Sequence, residues 1–261
     1  VDAANPVIPI EICDITLEQC AVEYDGTAKT PKVTVRDGDA ELIEGEDYTV
    51  EYANNQNIGT ASATVTGIGN TYAGEKTLEF QIVDVSDELT VGDNYVRVHS
   101  GKDGGYVSTY FYPETDGFYV FKMDSLGNKK INDLRCWDIS YSYLSSRDTA
   151  RYLVATEKLY STRGYDLEIG ADESVNTIVK VTIEERAVSG EINGVSWRFA
   201  EDGTLTIDGK DLQQAKGEDG YYIWKSFLQE TKKLVLGKQV TTIPYDSFEV
   251  FRIARRFAGN W

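Results

Sequence analysis

The residues that could do chemistry are few. One histidine, His99, lies in a strand-like run. A Ser-His-Asp or Cys-His site would have to use it. No Gly-x-Ser-x-Gly elbow precedes a helix, and the nearest cysteine in sequence, Cys136, falls inside a strand pattern. His99 therefore reads as a surface or partly packed residue. Zinc needs three or four convergent ligands, and no Cys-x-x-Cys is present. Acidic pairs are abundant enough for a two-carboxylate glycosidase. Most, however, sit beside glycine or in turns, as in Glu44-Gly45-Glu46-Asp47 and Glu218-Asp219-Gly220, where they read as solvated charge. Calcium could sit in such a loop, but the EF-hand spacing is missing. No Walker A or dinucleotide fingerprint occurs, and Gly67-Ile68-Gly69-Asn70 lacks the third glycine. The sequence predicts no catalytic residue, no metal and no cofactor.

Binding chemistry is better represented. Tyr106, Tyr110 and Tyr112 share one face of a predicted strand whose other face carries Val107, Thr109 and Phe111. If Phe111 points into a core, the tyrosines point out. Exposed rings stack on sugars and anchor protein interfaces. Pro113 follows at once, which places the Tyr110–Tyr112 pair near a sheet rim. The alternative is that the rings pack under a neighbouring sheet. Trp137, Tyr141 and Tyr143 read as core.

Cys13, Cys20 and Cys136 are odd in number, so at least one thiol is free or pairs between chains. Ile15 to Val22 reads as strand, which would hold Cys13 and Cys20 about 23 Å apart, beyond disulfide reach. Unpaired thiols are expected.

The elements that must position these residues are strands. The chain has 261 residues, rich in Tyr and Gly, with 41% hydrophobic residues, a normal globular share. Its net charge of -17 argues against nucleic acid and anionic membranes. No apolar run approaches the ~20 residues of a membrane span, and no signal peptide is visible. Charge is uneven: residues 1–86 carry 4 basic and 16 acidic side chains, 87–186 carry 12 and 17, and 187–261 carry 10 and 10. These shifts predict three domains with those boundaries. The expected fold is all-β: tandem β-sandwiches, then a small β-rich domain with a short C-terminal helix.

In residues 1–86, about six short alternating strands separated by Gly, Asp and Asn turns describe a small sandwich. The run Tyr24-Asp25-Gly26, Val33, Val35, Asp37-Gly38, Asp47-Tyr48, Val50, Tyr52, Asn54-Asn55, Gly59-Thr60-Ala61, Gly67, Gly69-Asn70 and Tyr72 resembles the bacterial immunoglobulin-like repeats with the YDG signature. Those repeats occur in surface proteins of Gram-positive bacteria. The resemblance covers nearly all of residues 12–83 and implies a secreted or cell-surface, non-enzymatic spacer or adhesion module. The motifs themselves are turn chemistry.

In the middle segment, Tyr106 to Tyr112 and Phe118 to Met123 read as a strand and its return across the Pro113–Gly117 turn. Arg135 to Leu144 reads as one strand, with Leu159 to Ile169 and Thr177 to Ile183 completing the set. This rhythm is similar to jelly-roll domains that follow secreted peptidases, implying a non-catalytic sandwich. In the last segment, Asp202-Gly203 marks a hairpin. Its order with Trp224, Leu234-Val235-Leu236, Val240-Thr241-Thr242-Ile243 and Phe248 resembles the N-terminal cap and first repeat of BspA-like leucine-rich repeats. Only one repeat follows, whereas a solenoid needs about three. From Asp246, a capping box with Glu249 and an apolar face of Val250, Ile253, Ala254, Phe257 and Ala258 predict a helix. Either this helix caps a degenerate repeat, or the sequence is a piece of a longer one.

Two function classes stay open at this level. One is an adhesion or structural module that contacts a protein or matrix. The other is a carbohydrate-binding appendage of a secreted polysaccharide-active system. An exposed planar aromatic platform would favour the second, a broad mixed polar-aromatic patch the first.

Overall fold

The computed structural model describes residues 7–126, 131, 133–136, 141–146, 150–155, 157–171 and 175–248. The described chain is all-β, with only short 3-10 turns of helix. The first segment contains β1 (Ile8–Pro9), β2 (Asp14–Leu17), β3 (Ala21–Glu23), β4 (Val33–Asp37), β5 (Ala40–Glu41), β6 (Tyr48–Ala53), β7 (Gly59–Gly67), β8 (Tyr72–Ala73) and β9 (Glu75–Val83). Strand order is β2-β4-β5 in one sheet and β3-β9-β7-β6 in a second, and β1 pairs with β8 in a two-stranded third. Alternation explains the sandwich. Val33 and Val35 of β4 point inward with Ile15, and meet Tyr48, Ala63 and Val65 of the opposite sheet in one core.

The apolar run from Ile15 to Val22 is not one strand. It breaks at Glu18–Cys20, and β2 and β3 join different sheets. Glu18 N–H still donates to Lys32 O on the β4 side, while the Cys20 carbonyl already accepts from Gln81 N–H of β9. The polar pair Glu18-Gln19 thus carries the chain across the sandwich edge. Cys13, Cys20 and Cys136 form no disulfide with one another.

The second segment contains β10 (Glu88–Leu89), β11 (Gly92–Ser100), β12 (Gly105–Phe111), β13 (Tyr119–Ser125), β14 (Asp133–Cys136), β15 (Tyr141–Ser146), β16 (Ala150–Ala155), β17 (Tyr165–Ala171) and β18 (Val175–Glu185). One sheet runs β10-β12-β17-β14 and the other β11-β18-β13-β16-β15. Leu89, Phe111, Leu134, Leu167 and Ile169 from the first face Val96, Phe121, Met123, Val179 and Val181 from the second in a continuous core.

Two expectations are corrected here. The strand after Pro113 does not return beside β12, because β13 belongs to the other sheet and pairs with β16 and β18. Pro113 has no N–H to continue a ladder, and Gly117 bridges to Leu159, so the connection crosses the end of the sandwich. Likewise Arg135 to Leu144 divides into β14 and β15, again in opposite sheets. Trp137 and Ile139 lie outside the described residues, as do the side chains of Tyr141 and Tyr143.

The third segment contains β19 (Ser189–Ile192), β20 (Val195–Phe199), β21 (Thr204–Asp208) and β22 (Lys233–Leu236) in that spatial order, with β21 and β22 parallel. Asn193-Gly194, both at positive φ, turn β19 into β20. Asp202-Gly203 turn β20 into β21, with Asp202 Oδ1 accepting from Thr204 N–H at 2.8 Å. Val240 to Pro244 forms no strand. Asp246 is recruited into tertiary contacts, accepting from Tyr222 O–H at 3.0 Å and Lys216 Nζ at 3.2 Å. The helix expected beyond it lies outside the described residues from residue 249 on.

Every sheet draws its strands from one of these three segments. The packing does not stop at the same places. Ala21 and Val83 bury against Ile178, and Phe118 at the mouth of β13 buries in the core of the third segment.

Candidate functional site

β12 is set by its inward residues. Phe111 and Thr109 are fully buried, and Thr109 Oγ1 donates to Leu167 O at 3.3 Å. Tyr106 and Tyr110 must then face outward, and they are 47% and 43% exposed, while Tyr112, just past the strand, is 53% exposed. The register completes the surrounding surface. Tyr110 stands between Glu88 of β10 and Asp166 of β17, Ser108 lies opposite Glu168, and Tyr106 lies opposite Gly170. The Tyr110–Tyr112 end is therefore not a bare rim, because β10 adds a short parallel strand beside Tyr110–Phe111.

Two of the rings are braced by glycine. A Cβ at Gly170 would lie 2.4 Å from Cε1 of Tyr106, and one at Gly164 would lie 2.5 Å from Cε1 of Tyr112. Each ring occupies space that only glycine leaves open, which fixes its direction across β17 and the loop before it. Tyr110 has no such glycine; its cross-strand neighbour is Asp166, whose Oδ1 is buried without a hydrogen-bond partner.

The sequence reading missed two contributors. Tyr160, 42% exposed, stands in the loop that supplies Gly164, with Lys158 Nζ 5.6 Å above its ring. That loop is tied to the Pro113–Gly117 connection by Asp116, which accepts from Ser161 N–H at 2.8 Å and Ser161 Oγ at 2.9 Å. These bonds hold the Asp116 carboxyl below its usual range. The bracing glycines were in principle findable, since an aromatic facing glycine across a strand pair is a recurring device. Finding them requires the register, which sequence alone does not supply.

His99 is exposed on β11, directly across from Asn176 of β18. Among the described residues no group of three or more His, Cys, Asp or Glu is placed to hold a metal ion, and no helix is long and apolar enough to cross a membrane.

No protein-family model matches the chain, and no curated protein matches it. Among solved structures, one with weak similarity comes from work on the promiscuous specificity of carbohydrate-binding modules of the β-sandwich superfamily. It is 9% identical over 66% of this chain and 97% of that one, at a TM-score of 0.18, too distant to carry an assignment of fold or function.

Proposed function

We propose that this chain is a non-catalytic binding and spacing module, secreted or held at a bacterial cell surface, which contacts a protein or matrix partner through the outer tyrosine face of its second sandwich. The observation that carries this reading is the mixed character of that face. Three tyrosines, 43 to 53% exposed, are interleaved with Ser108 of the same strand and with Asp166 and Glu168 of β17. Tyrosine gives large contact area at low entropic cost, and interleaved polar groups give direction to the contact. The acidic surroundings fit a partner surface rich in donors such as Arg and Lys, and the net charge of -17 would steer such a partner at low salt. The resemblance of residues 12–83 to YDG-signature immunoglobulin-like repeats supports the surface location and the spacer role.

The test is a side-by-side screen of the intact chain against purified extracellular-matrix proteins and a glycan array, with ester, peptide and glycoside substrates in parallel. Salt-sensitive binding to a protein and no turnover are expected. Turnover abolished by a single carboxylate substitution would overturn the non-catalytic reading. Glycan binding lost on Tyr110→Ala would reassign the tyrosine face to sugars.

A further inference from the structure

The turn that carries the YDG residues does not hang free. It forms one wall of a groove of about 540 Å³ between the first and second sandwiches. Its floor is the junction itself, where Ala21 of β3 meets Ile178 of β18. The opposite wall carries Arg97 of β11 and Thr177. Neither sandwich makes this groove alone.

The wall is rigid. Tyr24 N–H donates to Val83 O at 2.8 Å, Lys29 N–H to Asn55 O at 2.7 Å, and Asn55 Nδ2 to Lys29 O at 2.8 Å. Gln56 Nε2 reaches Gly26 O at 3.3 Å, and Tyr52 O–H reaches Pro31 O at 2.7 Å. β9 at one end, and β6 with the residues that follow it at the other, thus hold the turn. A surface fixed before binding loses little entropy when a ligand arrives.

The charges in the groove are already matched. Arg97 Nη2 pairs with Glu23 Oε2 at 2.6 Å across the junction, and Arg97 Nη1 donates to Asn176 Oδ1 at 3.3 Å. Lys29 Nζ pairs with Asp25 Oδ1 at 2.5 Å, and Asp25 also accepts from Thr27 N–H and Oγ1. A groove whose ion pairs are internally neutralised has little net field for an ion. It still offers dense, oriented donors and acceptors, and the 40% exposed ring of Tyr24 stands beside them. Deep apolar pockets, which a peptide side chain would need, are not what lines it. Interfaces between domains are common places for small ligands, and a volume of this size takes a few hexose rings.

We propose that this inter-sandwich groove is a site for an uncharged oligosaccharide, with Tyr24 stacking on a sugar face and the Glu23–Arg97 and Asp25–Lys29 pairs bonding its hydroxyls. The site is independent of the tyrosine face on β12, so either can fail without the other. The experiment is calorimetric titration of the intact chain with cellotriose, maltotriose and xylotriose, and with trigalacturonate as an anionic control. At least one neutral trisaccharide should bind more tightly than about 10 mM, and more tightly than trigalacturonate. Tyr24→Ala should weaken it about tenfold, Tyr24→Phe should retain it, Arg97→Ala should weaken it, and Tyr110→Ala should leave it unchanged. Far-ultraviolet circular dichroism on each variant separates lost binding from lost folding. Absence of binding by every trisaccharide, preference for the anion, survival of binding in Tyr24→Ala, or loss in Tyr110→Ala would each overturn the assignment.

Discussion

Phe118 belongs by sequence to the second sandwich and by packing to the third segment, so truncating it should unsettle the segment it does not belong to. Its ring is 3% exposed and meets Phe199 edge-on at 5.5 Å and 89°, and Phe227 at 4.8 Å and 90°. Those two rings are themselves stacked at 5.2 Å and 8°. Phe118→Ala removes a buried ring, leaves a cavity and deletes two edge-to-face contacts. Such truncations cost about 3–5 kcal/mol. A segment the size of residues 187–261 has a total stability of roughly 4–11 kcal/mol, so the loss is a large fraction of what holds it folded. Arg186 N–H donates to Phe118 O at 2.6 Å, a backbone bond that the substitution leaves in place, so the loss is that of the ring. The assay is urea unfolding followed by tryptophan emission, because Trp197 and Trp224 both sit in the affected core. The emission midpoint should fall well below that of the wild type, and a separate early transition should appear while circular dichroism of the two sandwiches persists. A loss under about 1 kcal/mol, or a variant whose tryptophan emission and circular dichroism still change together in one step, would refute the idea that Phe118 locks the third segment to the second.

Other perturbations follow from the same contacts. Asp219, 3% exposed, pairs with Arg186, 12% exposed; Asp219→Ala should cost about 3–5 kcal/mol in urea unfolding by leaving a buried guanidinium, and Arg186→Met in the same background should recover part of it. Burial holds the hydroxyls of Tyr48, Tyr119 and Tyr222 protonated above their ordinary value, and at Tyr222 the accepting Asp246 carboxylate adds to this. Unfolded tyrosines ionise at about pH 10, so this contribution is whole below that pH and is lost as pH rises above it; the urea midpoint should fall as pH rises beyond about 10, and a midpoint that stays level there would contradict the burial argument. Cys20 is half-buried, whereas Cys13 and Cys136 are buried, so a maleimide should modify Cys20 first in the native state and all three after unfolding; burial raises the Cys20 thiol, so its rate should still be climbing above about pH 9. An intact mass short by two labels in the unfolded, unreduced chain would reveal a disulfide.

Much of the facing of residues was legible in the sequence, because a period of two survives whatever sheet a strand joins. Ala61, Ala63 and Val65 point inward, Phe111 points inward, and Tyr106 and Tyr110 point out as alternation requires. The Asp202-Gly203 hairpin was equally local. What alternation cannot supply is the partner of each strand. β12 and β13, and β14 and β15, are neighbours in sequence and lie in opposite sheets, because sandwich connections pass over the ends of the layers. A strand-like run can also hide a sheet switch, as at Glu18–Cys20. The candidate site was half legible for the same reason. Its exposed rings followed from alternation, while Gly164, Gly170 and the buried oxygen of Asp166 became meaningful only with the register. Phe118 shows the remaining limit: an aromatic residue at a strand end does not say which of two neighbouring cores it enters.

The most direct test of the central claim is biolayer interferometry of the immobilised chain against purified extracellular-matrix proteins at physiological and raised ionic strength, with Tyr110→Ala beside the wild type. At least one partner should bind the wild type, more weakly at high salt, and Tyr110→Ala should weaken it about tenfold with its melting temperature unchanged. A wild type that binds nothing in the panel, or a Tyr110→Ala variant that binds as well as the wild type, would contradict it.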